Sequence, residues 1–137
     1  MSELMQQMID REIENHAKAL AAIEARAGLI QEAETLAATL RSGGVASACA
    51  MGYVTPPFLS GGDASVHVYV DALADPGEAI AQALRDADLR IRIVEQHPGG
   101  GYCSLNLEGL DTRLDIPSKA WPALFDALNP PRTREAA

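Results

Sequence analysis

IDREIENHAKALAAIEARAGLI, residues 9–30, is the stretch on which the architecture turns. Ile9, Ile13, His16, Leu20, Ile23, Ala27 and Ile30 are separated alternately by four and three residues. That is a heptad seam, with Ile13, Leu20 and Ala27 at a and Ile9, His16, Ile23 and Ile30 at d. Such spacing predicts an amphipathic helix with one apolar edge. Good helix formers and the absence of proline extend the expectation over Ser2 to Arg41, with Ser2 as N-cap. Ser42-Gly43-Gly44 supplies the stop, Gly43 being assigned the left-handed position after the last turn.

Beyond Ile30 the strict repeat would place Glu34 and Arg41 on the seam. Apolar positions instead shift to Ala33, Leu36 and Leu40, which marks a change of packing partner. Residues 33–40 are expected against the rest of the chain, and residues 5–30 against another helix. An intramolecular helix lying across its own sheet is the alternative. Charges flanking the seam are too sparse to choose between parallel and antiparallel pairing. His16 is either a pH-sensitive seam residue or merely half exposed at its edge.

After the glycines the periodicity changes. Val45–Val54 is compatible with a strand ended by Thr55-Pro56-Pro57, and residues 58–63 read as a loop containing Gly61-Gly62. Ser65–Asp71 alternates cleanly, with Val66, Val68 and Val70 inward and His67 and Tyr69 outward. Asp75-Pro76-Gly77-Glu78 reads as a capping box opening a helix whose stripe is Ala79, Ile80, Ala83, Leu84 and Ala87. A hairpin follows, Leu89, Ile91 and Ile93 facing in on one strand and Cys103, Leu105 and Leu107 on the other. A fifth strand is expected over 112–116. Trp121, Leu124, Phe125 and Leu128 form the stripe of a last helix, stopped at Asn129-Pro130-Pro131.

The fold class is therefore α+β: a long, coiled-coil-like N-terminal helix, then a small antiparallel sheet with helices on one face, in the order α-β-β-α-β-β-β-α. Residues 1–42 form the oligomerisation or packing arm, 43–130 the small domain and 131–137 a flexible tail.

Composition sets the functional bounds. Of 137 residues 24 are alanine, while Leu, Ile, Val and Phe together number 31, so the core is thin. Net charge is −8, spread along the chain, which disfavours direct nucleic-acid binding. No secretory leader or membrane span is read, and two cysteines make no disulfide framework, so the expected compartment is cytoplasmic. The glycines at 99–101 lack the Lys-Ser/Thr of a phosphate loop. His16, His67 and His97 fall on separate elements and neither Cys49 nor Cys103 sits in a CxxC pair, so no metal or cofactor is expected. Cys103 or Ser104 with His67 or His97 allows a nucleophile and base to be drawn, but nothing holds them together in sequence. The expectation is a non-enzyme.

Two sets of residues remain as candidate surfaces. His67, Tyr69, Arg90, Arg92, Tyr102 and Arg113 project from the sheet's outer face, an Arg/Tyr surface suited to a partner protein, an anionic ligand or single-stranded nucleic acid. The acidic set is Glu12, Glu14, Glu24, Asp63, Asp86 and Asp88. In size, acidity and lack of catalytic chemistry the chain is similar to phage-encoded inhibitors, including anti-CRISPR proteins that occupy basic nucleic-acid channels. The resemblance implies that those carboxylates stand in for phosphates against a basic nucleic-acid-binding partner. The leading expectation is an acidic protein–protein interaction module, a homodimer or higher homo-oligomer held by its helix. The alternatives are a ligand- or nucleic-acid-binding module and a structural assembly subunit.

Overall fold

The computed structural model describes residues 2–55, 63–71 and 74–129. The expected loop over 58–63, save Asp63, the expected proline stop at 130–131 and the expected tail over 131–137 lie outside them. The elements are α1 (Glu3–Ala25), α2 (Ala27–Ser42), β1 (Cys49–Val54), β2 (Ala64–Tyr69), α3 (Gly77–Asp86), β3 (Ile91–His97), β4 (Tyr102–Leu107), β5 (Arg113–Pro117), a short 3-10 turn (Ser118–Ala120) and α4 (Trp121–Leu128). The fold is α+β, as the change of periodicity requires.

The N-terminal helix is not one rod. Ser2 caps α1, its Oγ accepting from the Met5 N–H at 3.1 Å. At Arg26 the backbone leaves helical geometry (φ −104°, ψ 14°), its N–H bonding to Ile23 O, and α2 restarts with the Ile30 N–H bonding to Arg26 O. The interruption falls just before the seam changes partner. Ala33, Leu36, Ala37 and Leu40 of α2 are buried in the core, whereas α1 has no buried residue. Gly43 ends α2 with φ −84°, and it is Gly44, at φ +103°, that takes the left-handed conformation.

The five strands form one sheet in the order β1-β2-β5-β4-β3. It is mixed rather than antiparallel, because β5 enters between β2 and β4 and runs parallel to β2. The chain between those two strands passes through α3 and the β3–β4 hairpin, a crossover long enough to return in the same sense. Val68, Val70, Cys103, Leu105, Leu107, Leu114 and Ile116 face the helices and join Ile80, Leu84 and Leu124 in one core.

Other departures from the sequence pattern have local causes. A bulge between Ile91 and Ile93 breaks the alternation of β3, so Ile93 pairs beside Asn106 on the outer face and is exposed, while Val94 turns inward. In α4 only Leu124 is buried. Phe125 is exposed and leans on Trp121, with ring centroids 5.6 Å apart.

Asp75 is not the helix cap its position suggested. α3 begins one residue later, with no side-chain cap. The Asp75 carboxylate is buried and accepts from the Ser47 hydroxyl, the Ser47 N–H at 2.8 Å and the Ala46 N–H at 3.2 Å. It thereby ties the α2–β1 connection to the start of α3. The Ser47 hydroxyl bond, aided by the two N–H groups, holds its carboxyl below the usual value of 3.8 despite burial. A depressed carboxyl stabilises the fold above that value and loses its contribution as pH falls through the lower folded value. Asp75→Ala is expected to cost about 2 kcal/mol at neutral pH, by removing the charged acceptor shared by the Ser47 hydroxyl and two N–H groups. Urea titrations at pH 7 and at about pH 3 check this: the gap between wild type and variant should narrow in acid.

Candidate functional site

Two surfaces carry the chemistry. The first is the apolar stripe of α1. At 1.5 Å per residue the 23-residue helix is about 34 Å long. Ile9, Ile13, Leu20 and Ile23 of the seam are exposed, Ile13 to 64%, and so are His16 and Ala27, while Ile30 is half buried. Leu4, Met5 and Met8 are exposed too. They were legible only as helix formers because they precede the first full heptad. The single ion pair within α1 is Lys18 to Glu14 at 3.2 Å among the described residues.

Where α1 passes into α2, Ile23 and Ile30 stand over β1 and line an open groove of about 280 Å3 with Ala50, Met51, Tyr53, Val54 and Val66. Met51 and Tyr53 are 48% and 60% exposed. The alternation of Ala48, Ala50 and Gly52 against Met51 and Tyr53 would have shown that β1 points its larger side chains away from the core.

The second surface is the outer face of the sheet. The register sets Tyr69, Asp115, Ser104 and Glu95 in one row, and Met51, His67, Arg113, Asn106 and Ile93 in the next. A cleft of about 360 Å3 opens over them, lined by Tyr53, His67, Tyr69, Tyr102, Arg113 and Asp115 with Gly100, Gly101 and Pro117. All three tyrosines of the chain meet there. Of the six expected outer-face residues the fold gathers His67, Tyr69, Tyr102 and Arg113. Arg90 and Arg92 do not line the cleft: Arg90 precedes β3, and Arg92 sits in the bulge.

Asp115, which the sequence reading passed over, is the buried centre of this face. Ser104 Oγ donates to its Oδ1 at 2.6 Å, Arg113 Nε donates to its Oδ2 at 3.1 Å, and His67 Nε2 lies 3.8 Å from Oδ2. His97 Nε2 is 3.2 Å from Ser104 Oγ, and its ring stacks on Tyr102 at 4.5 Å. The order is carboxylate, hydroxyl, imidazole. A serine nucleophile needs the imidazole between the other two, so that its proton has a base to go to. Here the hydroxyl proton is held by Asp115 and the oxygen is buried. The Cys103 thiol faces the core, and burial pushes it up to about 11, far from a thiolate at neutral pH. Among the described residues no three His, Cys, Asp or Glu side chains converge as metal ligands would.

Burial lowers the pKa of His67, the Asp115 charge partly opposing and Arg113 reinforcing the shift. Its buried Nδ1 has no hydrogen-bond partner among the described residues. Since the unfolded chain takes up this proton first, stability falls as pH drops below the ordinary imidazole value of 6.5. His67→Gln should flatten the loss of melting temperature between about pH 7 and pH 5. An unchanged slope would show that the titration lies elsewhere.

The acidic set is divided among three elements. Glu12, Glu14 and Glu24 lie on α1. Asp63 precedes β2 and pairs with Arg26 at 3.4 Å. Asp86 and Asp88 stand at the end of α3. A further acid, Glu32 on α2, accepts from the Asp111 and Thr112 N–H groups and from Thr112 Oγ1 at 2.7–2.8 Å, locking α2 to the β4–β5 turn. No protein family, no characterised protein and no solved structure matches this chain.

Proposed function

We propose that the protein is a non-enzymatic interaction module that self-associates through α1. One observation carries this reading. A helix of 23 residues buries none of them against its own chain, yet presents Ile9, Ile13, Leu20 and Ile23 along one edge. A helix of that length gains most of its stability from packing an apolar face. A second copy is the occupant that the heptad spacing suits, because identical seams are complementary to each other. Sedimentation velocity of the full chain from low to high micromolar concentration tests it. A dimer or higher closed oligomer is expected, and a monomer throughout would end the proposal.

A second reading rests on the gathering of three tyrosines and Arg113 in one cleft. Tyrosine faces stack on planar rings, and the terminal guanidinium nitrogens of Arg113 are left for an anionic group. Titration calorimetry with nucleoside monophosphates tests this, comparing wild type with Arg113→Ala. Heat lost in the variant supports it, and no heat with wild type removes it.

A further inference from the structure

We infer that two copies join through the outer edge of β1, which no other described strand pairs, bringing it antiparallel to itself about a two-fold axis at Gly52. This rests on the self-association proposed above and specifies its geometry. The two edges of the sheet differ in kind. The β3 edge is broken by a bulge and carries Arg92, Glu95 and Gln96, all exposed, which are the features that protect an edge from another strand. The β1 edge, Cys49–Val54, has no charge, no proline and an unbroken register with β2.

Its backbone is also aimed outward in the right places. The Thr55 N–H bonds to Asp63 O at 2.7 Å, which marks that position as a hydrogen-bonded pair. Such pairs alternate along an antiparallel ladder, so Tyr53, Met51 and Cys49 bond to β2 as well. Ala50, Gly52 and Val54 then turn their N–H and C=O groups to the open side. With Gly52 on the axis, Gly52 meets Gly52 of the second copy and Ala50 meets Val54, which completes about six main-chain hydrogen bonds.

Side chains agree with that register. Gly52 brings no bulk to the axis. Met51 falls opposite Tyr53 twice on the outer face, an apolar cross-strand pair. Ala50 and Val54 meet on the helical side, where Ile23 and Ile30 roof the groove of each copy. Two five-stranded sheets become one continuous sheet. An axis normal to that sheet reverses every direction in its plane, so any part of α1 that runs along the sheet is antiparallel to its counterpart in the second copy.

Two full-length variants test the inference by sedimentation and non-reducing electrophoresis. Met51→Lys with Tyr53→Lys sets lysine against lysine across the seam, and both positions are exposed enough to keep the fold, which circular dichroism checks. It should be monomeric where wild type is a dimer. Cys49→Ser with Met51→Cys and Tyr53→Cys should form a covalent dimer on mild oxidation, because non-hydrogen-bonded cross-strand pairs suit a disulfide. If the lysine variant stays dimeric and no covalent dimer forms, edge pairing is wrong while helix-driven association stands. If wild type is monomeric, both fall. Should the lysine variant lose its fold, the oxidation result decides alone.

Discussion

Ile13→Glu with Leu20→Glu should turn the assembled protein into a monomer that keeps its buried core, with any loss of circular dichroism confined to the unpartnered α1. Both side chains are exposed within one chain, 64% and 48%, and neither touches the buried core. Nothing inside the subunit therefore resists the change, and glutamate is a good helix former. Between two copies the effect is large. Each apolar side chain removed from water contributes about 1.5 kcal/mol or more, and each substitution acts twice in a symmetric pair. The loss is at least about 6 kcal/mol, on the order of ten-thousand-fold in the dissociation constant. Burial of the new carboxylates adds to it. Sedimentation equilibrium over the range in which wild type associates is the measurement. A variant as associated as wild type would show that α1 is not in the interface.

Gly77→Ala is expected to be the most damaging methyl addition among the described glycines. Gly77 opens α3 where α4 crosses it, and it is buried. A Cβ there would run into Ala120 O, lie 2.6 Å from Leu124 N and 3.0 Å from Ala123 Cβ. The first two are backbone atoms, so relief requires moving α4 and with it Leu124, which has no exposure at all. Overpacking against side chains costs about 1–3 kcal/mol; against fixed backbone the upper end, about 3 kcal/mol, is expected. The control is Gly28→Ala in the first turn of α2, where a Cβ meets nothing within 4 Å. That change should be neutral or stabilising by a few tenths of a kcal/mol, since alanine loses less backbone freedom than glycine. Denaturant titration of the pair separates a crowding effect from a general intolerance of alanine. Equal stabilities would mean that α3 and α4 do not meet as described.

Several features of this protein were open to sequence reasoning because they depend on neighbours a few residues away. Helix and strand periods differ, so the switch from the Ile9–Ile30 spacing to the Ser65–Asp71 alternation marked α against β, and the slip to Ala33, Leu36 and Leu40 marked where the first segment meets the core. What local pattern could not reach was anything set by residues far apart. β5 slots in parallel beside β2 because of where the hairpin lands, and that alone puts Asp115 between His67 and Ser104. Asp75 caps nothing because Ser47 and Ala46, 28 and 29 residues earlier, offer it better donors. The bulge at Ile91 and Ile93 overturned an alternation that was correct up to that point, and so moved Arg92 out of the cleft's row. Periodicity records which side of an element is apolar; only packing decides what that side meets.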